Sequence, residues 1–167
     1  MKRGLLWSII ILPGTVVVFV PAVLLFVFQS FSLGATLSNP GHWAFWMGLF
    51  AMALGLILAI WTSRLFLTEG EGTPAPWDPP KNVVVLGPYR YVRNPMIIGV
   101  LFMLLGEALL FQSIPIAGWM VVFFLGNSIY LPRYEERDLE QRFGDPYIEY
   151  KKHVRRWVPR LSPWSGS

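Results

Sequence analysis

The chain has 167 residues, a length typical of one domain or at most two small ones. Apolar residues make up 54% of it and charged residues 14%, whereas an ordinary soluble domain carries about 25% charged residues. Such scarce polar surface excludes a soluble enzyme, a disordered chain and a coiled coil, and it indicates a membrane protein. Because the chain has no cysteine, a disulfide scaffold, a cysteine nucleophile and a thiolate metal site are also excluded.

Four apolar segments are candidates for membrane-spanning helices, which need about 20 mostly apolar residues. In chain order they are residues 5–28, about 42–67, 95 to about 112, and about 114–131. The last two are separated only by Gln112 and Ser113, which predicts a tight helical hairpin.

The first apolar segment follows Met-Lys-Arg, as the apolar part of a signal peptide does. However, it is about twice as long as a usual signal-peptide core, and no small-x-small cleavage site follows it. We therefore expect a retained span, bent at Pro13 and Pro21.

The basic residues predict the orientation. All 14 lysines and arginines precede the first span, lie at the end of the second span or in the loop after it, or follow the fourth. The opposite loops, residues 29–41 and 112–113, have none. The positive-inside rule then places both termini in the cytoplasm. This topology and contact with anionic lipids explain the net charge of +4 without a nucleic-acid partner.

The predicted fold class is an all-α, polytopic membrane helix bundle of about four spans with a cytoplasmic C-terminal helical cap. We expect a single membrane domain, residues 1–167, in which residues 1–67 form an N-terminal transmembrane hairpin. Within it, Ala51, Gly55 and Ala59 recur at intervals of four, which favours a packing face inside the molecule. The same face would serve a dimer, so the oligomeric state stays open.

Two polar segments, residues 68–94 and 132–167, lie on the predicted cytoplasmic side and can meet at the membrane surface. In the first, Asn94 and Pro95 predict the N-cap and first residue of the third span. Arg90 and Arg93 directly precede that helix N-terminus. They form either an anion site with its backbone N–H groups or a contact to lipid phosphates.

The second polar segment predicts two short helices. In the first, residues 135, 139 and 143 recur at helical spacing, and Gly144 is a helix terminator. Asp145 and Pro146 are predicted to cap and start the second helix, on which residues 147, 150 and 154 share a face. The carboxylates of Glu135 and Glu136 either pair with the arginines of the loop or hold a polar ligand.

One carboxylate, Glu107, lies inside the third span, where an ionisable residue is a functional hypothesis by default. The predicted hairpin would bring it near Trp119, whose indole N–H would satisfy it. We favour a structural or protonated role, and the alternative function is a small four-span transporter that uses Glu107 as a proton or cation carrier.

Residues 87–96, Gly-Pro-Tyr-Arg-Tyr-Val-Arg-Asn-Pro-Met, followed by Gly99, resemble the membrane methyltransferases related to isoprenylcysteine carboxyl methyltransferase. Phospholipid N-methyltransferases share this region. The tail resembles the second half of the same signature, in Glu135-Glu136, Leu139, Phe143-Gly144, Tyr147 and Tyr150. Residues 154–160, Val-Arg-Arg-Trp-Val-Pro-Arg, resemble its closing run, so the likeness covers roughly residues 86–161.

The resemblance implies an enzyme that uses S-adenosylmethionine and no metal, with residues 68–167 as the cofactor-binding core. The cofactor would be bound by Tyr89, Arg93, Asn94, Pro95, Glu136, Tyr147 and Tyr150. Arg156 and Glu135 would be catalytic residues that face the methyl acceptor. That acceptor would be lipophilic, a prenylcysteine-like carboxylate or a lipid amine, and the site would face the cytoplasm of a bacterial or archaeal cell.

Three positions depart from the family's pattern. Asn94 replaces the usual histidine, Ile97 a common tyrosine, and Arg155 the usual proline. These departures bear on the acceptor more than on the cofactor. A nicotinamide-dependent sterol reductase would need more spans and a Gly-x-Gly-x-x-Gly loop, and a non-catalytic membrane scaffold of the same fold is a further alternative.

Overall fold

A computed structural model describes residues 13–28, 36–70 and 81–165. Throughout these ranges the regular secondary structure is helical and contains no strand, as predicted. The chain divides into two compact units. The first comprises Met1–Ile57 and Gly99–Leu125, and the second comprises Leu58–Ile98 and Gly126–Ser167. The N-terminal part of the first predicted span, residues 5–12, lies outside the described residues.

The helices, in chain order, are α1 Thr15–Phe28, α2 Trp43–Thr68, α3 Pro95–Leu110, α4 Ile114–Tyr130, α5 Glu136–Phe143 and α6 Asp145–His153. A short 3₁₀ turn, Gly87–Arg90, precedes α3. Two helices, α2 and the continuous helix Ile114–Phe143, are long and apolar enough to cross a bilayer, whereas α1 and α3 are shorter apolar helices. These helices are those of a helical membrane protein, and the count of four spans stays a prediction.

In the first unit, α2 and α3 touch through their backbones at glycines. A Cβ atom on Gly55 would lie 2.5 Å from the carbonyl oxygen of Gly99 and 2.8 Å from the backbone nitrogen of Met103. A Cβ atom on Gly106 would lie 2.8 Å from the carbonyl oxygen of Gly48. The predicted packing face of α2 is therefore confirmed at Gly55, and Gly48 extends it by about one turn beyond Ala51.

The indole of Trp119 does not satisfy Glu107, so that prediction was wrong. Its Nε1 instead donates to the carbonyl oxygen of Val16, 3.0 Å away. The reason lies in the π-helical turn Thr15–Phe19 of α1, where the N–H of Val20 bonds to the carbonyl of Thr15. The next residue, Pro21, has no N–H, so the carbonyl of Val16 needs a donor from elsewhere.

In the second unit, α4 does not end at the first proline after the apolar segment. It passes through a π-helical turn, Leu131–Glu135, in which the N–H of Glu136 bonds to the carbonyl of Leu131, and then continues as α5. A wider turn accommodates Pro132, which has no N–H to donate to an α-helical ladder. The turn therefore joins the apolar helix directly to the charged one.

The break between α5 and α6 is at Gly144, as predicted. Gly144 has φ 62°, a conformation that favours glycine, and its N–H bonds to the carbonyl of Glu140. The N-cap of α6 is also Gly144, whose carbonyl accepts from Tyr147 and Ile148, so the prediction of Asp145 as the cap was wrong by one residue. Asp145 is instead the first residue of α6, where its negative charge interacts favourably with the positive end of the helix dipole.

Candidate active site

The two polar segments meet, as predicted. Three backbone hydrogen bonds join them, from Arg93 to Arg155 (2.9 Å), from Arg160 to Tyr91 (2.9 Å) and from Trp164 to Arg90 (3.0 Å). In addition, Nε of Arg90 donates to the carbonyl of Trp164 at 2.8 Å. We refer to residues 155–164 as the C-terminal strap. The strap holds the loop before α3 by main-chain contacts along most of its length.

The face of α6 that was predicted from its spacing is buried. Tyr147, Tyr150 and Val154 form a core cluster, and none of the three side chains is more than 5% exposed. The hydroxyl of Tyr150 donates to the carbonyl of Tyr89 at 2.7 Å. This buried bond fixes α6 to the 3₁₀ turn that precedes α3.

A cavity of about 510 Å³ opens between these segments, which is within the size range of small-molecule sites. Its aromatic lining is Phe66, Tyr89, Tyr130, Tyr134, Phe143, Tyr147 and Tyr150. Its charged lining is Arg93, Glu135, Glu136, Asp138 and Arg142. Its remaining lining residues are Asn82, Val83, Val84, Asn94, Met96, Ile97, Leu131 and Leu139. Charged groups and aromatic faces thus surround one space in the second unit.

The structure brings together seven of the nine predicted site residues around this cavity. They are Tyr89, Arg93, Asn94, Glu135, Glu136, Tyr147 and Tyr150. Pro95 is buried as the first residue of α3, and Arg156 binds the carboxylate of Glu136 without being a lining residue. The departure at Ile97 also lies at the cavity.

Glu136 is the centre of the charged cluster, with a side chain only 4% exposed. One of its oxygens, Oε1, lies 2.7 Å from Nε of Arg156 and 3.0 Å from Nη1 of Arg93. The other, Oε2, lies 3.1 Å from Nζ of Lys151. Burial alone would raise the pKa of Glu136, but the bond from Arg156 and the charges of Arg93 and Lys151 outweigh it and lower that pKa. The carboxylate is therefore ionised at neutral pH.

Arg93 is paired with Glu136 and lines the cavity. Its side chain is 10% exposed, and its Nη1 lies 3.0 Å from Oε1 of Glu136. Its Nε and Nη1 are both buried and make no hydrogen bond of suitable geometry within the described residues. A guanidinium matches a carboxylate or phosphate, so the positive charge of Arg93 can attract an anionic group into the cavity.

Glu135 has the opposite surroundings to Glu136. Part of its surface faces the cavity, and no cation pairs with it in the part of the chain that the structure describes. Desolvation by the surrounding protein raises the pKa of Glu135 most, and the negative charges of Glu136 and Asp138 raise it further. A carboxylate with a raised pKa is a stronger base than an ordinary one and is better suited to accept a proton.

The three tyrosines predicted from the sequence remain neutral phenols. Burial raises the pKa of Tyr89, and Tyr150 and Glu135 raise it further. Burial also raises the pKa values of Tyr147 and Tyr150, against the opposing charge of Arg93. Their hydroxyl groups therefore stay protonated at neutral pH, where they can donate hydrogen bonds.

Lys151 is a charged partner of the site that the sequence did not reveal. Its Nζ lies 2.6 Å from Oε1 of Glu140 as well as 3.1 Å from Glu136. The sequence did hold a signal for such a partner. Glu136 and Glu140 are four residues apart, where like charges on a helix repel each other and a nearby cation relieves the repulsion. Tyr130 and Tyr134, whose rings stack 5.5 Å apart, also line the cavity and were not among the predicted site residues.

Comparison with known proteins supports an enzyme. Residues 43–146 match a family model described as phospholipid methyltransferase. A 77-residue stretch is 35% identical to "Methanethiol S-methyltransferase 2" of Bradyrhizobium diazoefficiens and covers 44% of this chain but only 27% of that relative. No solved structure matches the chain. Because the family model covers more than half of the chain, the protein belongs to the phospholipid methyltransferase family of membrane methyltransferases.

Proposed function

We propose that the protein transfers a methyl group from S-adenosylmethionine to a lipophilic acceptor at the cytoplasmic membrane face. The observation that carries this proposal is the cavity of about 510 Å³, which seven of the predicted residues line from the loop before α3, the π turn before α5, α5 itself and α6. The shared stretch spans only 27% of the aligned relative. The support for substrate and cofactor therefore comes from the residues that line the cavity.

The cavity fits the cofactor's chemistry. S-adenosylmethionine has an anionic carboxylate, two cationic centres and an aromatic base. The guanidinium of Arg93 supplies a positive charge for the carboxylate, and the carboxylates of Glu135 and Asp138 attract cationic groups. The aromatic lining suits both a stacked base and a cation over a ring face.

When bound, the cofactor supplies an electrophilic methyl group for in-line displacement. The chain's own contribution is to hold the reactants in line, which can lower the activation free energy by about 7–11 kcal/mol at best. Glu135 takes the proton from an acceptor that must lose one, such as an amine. A carboxylate acceptor is already ionised and needs no base.

The acceptor belongs to one of three chemical classes. The first two are a prenylcysteine-like carboxylate and a lipid amine, either of which enters from the bilayer. The name of the aligned relative adds a thiol. In each case Glu135 and Arg156 are the proposed catalytic residues beside the acceptor. Membranes incubated with methyl-labelled cofactor would identify the acceptor through the labelled product.

Calorimetric titration of the purified protein with S-adenosylmethionine tests the proposed cofactor. We expect the wild type to bind and Glu136→Gln to bind at least about tenfold more weakly, because Arg93 loses the carboxylate that holds it. Glu107→Gln is the control, since Glu107 does not line the cavity, and its affinity should be unchanged. A wild type that binds no cofactor, with proton-coupled transport lost in Glu107→Gln, would contradict the proposal.

A further inference from the structure

The two oxygens of the buried Glu136 carboxylate have different partners. Arg93 and Arg156 both lie against Oε1. Among the described residues, Lys151 is the cation whose ion pair is made to Oε2, at 3.1 Å, and Oε2 has no hydrogen bond of good geometry from any group. Loss of Lys151 would therefore leave one oxygen of a buried anion without a charged partner, which is a costly arrangement.

Lys151 is itself held in place. It projects from α6, and its Nζ lies between Glu136 and Glu140, which are one turn apart on α5. The 2.6 Å contact to Glu140 is the shorter of the two, and the bond to Glu140 is the main reason that the pKa of Lys151 is raised. Lys151 thus links α5 to α6 at the position of the carboxylate that orients Arg93.

We infer that Lys151 is a positioning residue for cofactor binding. By holding Oε2 it sets the rotation of the Glu136 carboxylate, and Oε1 in turn sets the guanidinium of Arg93. Arg93 is thereby held at the cavity that it lines, where its positive charge faces an anionic group. This inference rests on the proposed function and assigns a role to a residue outside the signature motifs.

The charge of Glu136 makes the stability of the protein depend on pH. A change in this pH dependence distinguishes an effect on Glu136 from a general loss of stability. The groups that face it are Arg93 from the loop, Tyr147 and Lys151 from α6, Arg156 from the strap, and Glu135 and Glu140 from its own helix. Because the folded pKa of Glu136 is lowered from its ordinary 4.5, its stabilising effect is present above that value and is lost as the pH falls through the folded pKa. Loss of Lys151 raises the folded pKa, so acid destabilisation begins at a higher pH.

The test compares Lys151→Met with Lys152→Met, its neighbour on α6. Lys152 is exposed and pairs with Glu149, so its variant removes a lysine without touching Glu136. We expect Lys151→Met to weaken S-adenosylmethionine binding about tenfold, which is the effect of one charge-assisted contact. In the ligand-free protein it should also move the onset of acid unfolding upwards by roughly half a pH unit or more. Lys151→Arg should restore most of both properties, and Lys152→Met should change neither.

Equal behaviour of Lys151→Met and Lys152→Met in both measurements would overturn the inference. If Lys151→Met does not fold, Lys151→Gln takes its place, because it also removes the charge beside Oε2 while keeping a polar side chain, and it should move the acid transition in the same direction. An unchanged affinity and acid transition in Lys151→Gln would then overturn the inference. A wild type that binds no cofactor would defeat the proposed function alone, since the acid transition is measured without ligand.

Discussion

The hydrogen bond from Tyr150 to the carbonyl of Tyr89 lies between two elements that are 61 residues apart in the sequence. The carbonyl belongs to the 3₁₀ turn that precedes α3, and it is buried with the tyrosine ring. A buried carbonyl without a donor costs about 1–3 kcal/mol. One hydroxyl therefore contributes to the placement of the loop that carries Arg93.

Tyr150→Phe should lower the free energy of unfolding by about 1–3 kcal/mol, because it removes the donor and leaves the carbonyl of Tyr89 buried. Thermal unfolding in detergent measures this loss. Tyr91→Phe is the matched control, since Tyr91 is 38% exposed and belongs to the same loop, and it should be nearly neutral. If both variants lost the same stability, the bond would have no special role.

At the scale of elements, the contact between α2 and α3 depends on the absence of side chains. At Gly55 a Cβ atom would meet backbone atoms, which cannot move aside as a flexible side-chain end can. At Gly118 of α4, by contrast, a Cβ atom would meet nothing within 4 Å. Replacement of glycine by alanine is therefore expected to lower stability at Gly55 of α2 but not at Gly118 of α4.

Gly55→Ala should destabilise the protein by about 1–3 kcal/mol, because the two helices must separate to admit the methyl group. Gly118→Ala should be neutral or stabilising by up to about 1 kcal/mol, since alanine is the better helix former. Thermal unfolding of both variants under the same conditions compares them. A Gly55→Ala variant as stable as Gly118→Ala would mean that the backbones do not touch.

Elements governed by local chemistry were predictable from the sequence. The start of α3 at Pro95 follows from proline's fixed φ, and the end of α5 at Gly144 from glycine's freedom at positive φ. The buried face of Tyr147, Tyr150 and Val154 follows from helical spacing. The seven residues that line the cavity came from a resemblance to a family, which no local rule would have supplied.

Features that depend on tertiary contacts were not predictable in this way. Pro132 was taken as the boundary of the fourth span, although a π turn carries the helix past it. The indole of Trp119 was predicted to bond Glu107, but it bonds the carbonyl of Val16. That carbonyl is free only because of the π turn beside Pro21, which the sequence did not reveal. Lys151 reaches Glu136 only because α6 packs beside α5.

At the scale of the whole molecule, the distribution of basic residues predicts which loops face the cytoplasm. The natural absence of cysteine makes this testable without prior removal of native thiols. Thr36, Gln112 and Ser162 are exposed, and they lie before α2, between α3 and α4, and in the strap. Single cysteines at these positions would report the side of the membrane on which each segment lies.

In intact cells, Thr36→Cys and Gln112→Cys should react with an impermeant maleimide, because the positive-inside rule places both loops outside. Ser162→Cys should react only after the membrane is permeabilised. If Gln112→Cys and Ser162→Cys were labelled from the same side, α4 would not cross the membrane. If Thr36→Cys and Gln112→Cys were labelled from opposite sides, α2 and α3 would not form a pair of spans.

The strap holds the loop mainly through main-chain atoms, and this affects how freely its sequence can drift during evolution. Arg155 accepts the bond from Arg93 through its carbonyl, an atom that proline also has. The preceding residue, Val154, has φ −111° and ψ 123°, which lie in the region that a following proline requires. An Arg155→Pro change would therefore keep the carbonyl that accepts from Arg93, so this departure from the family's pattern leaves that contact between the strap and the loop in place.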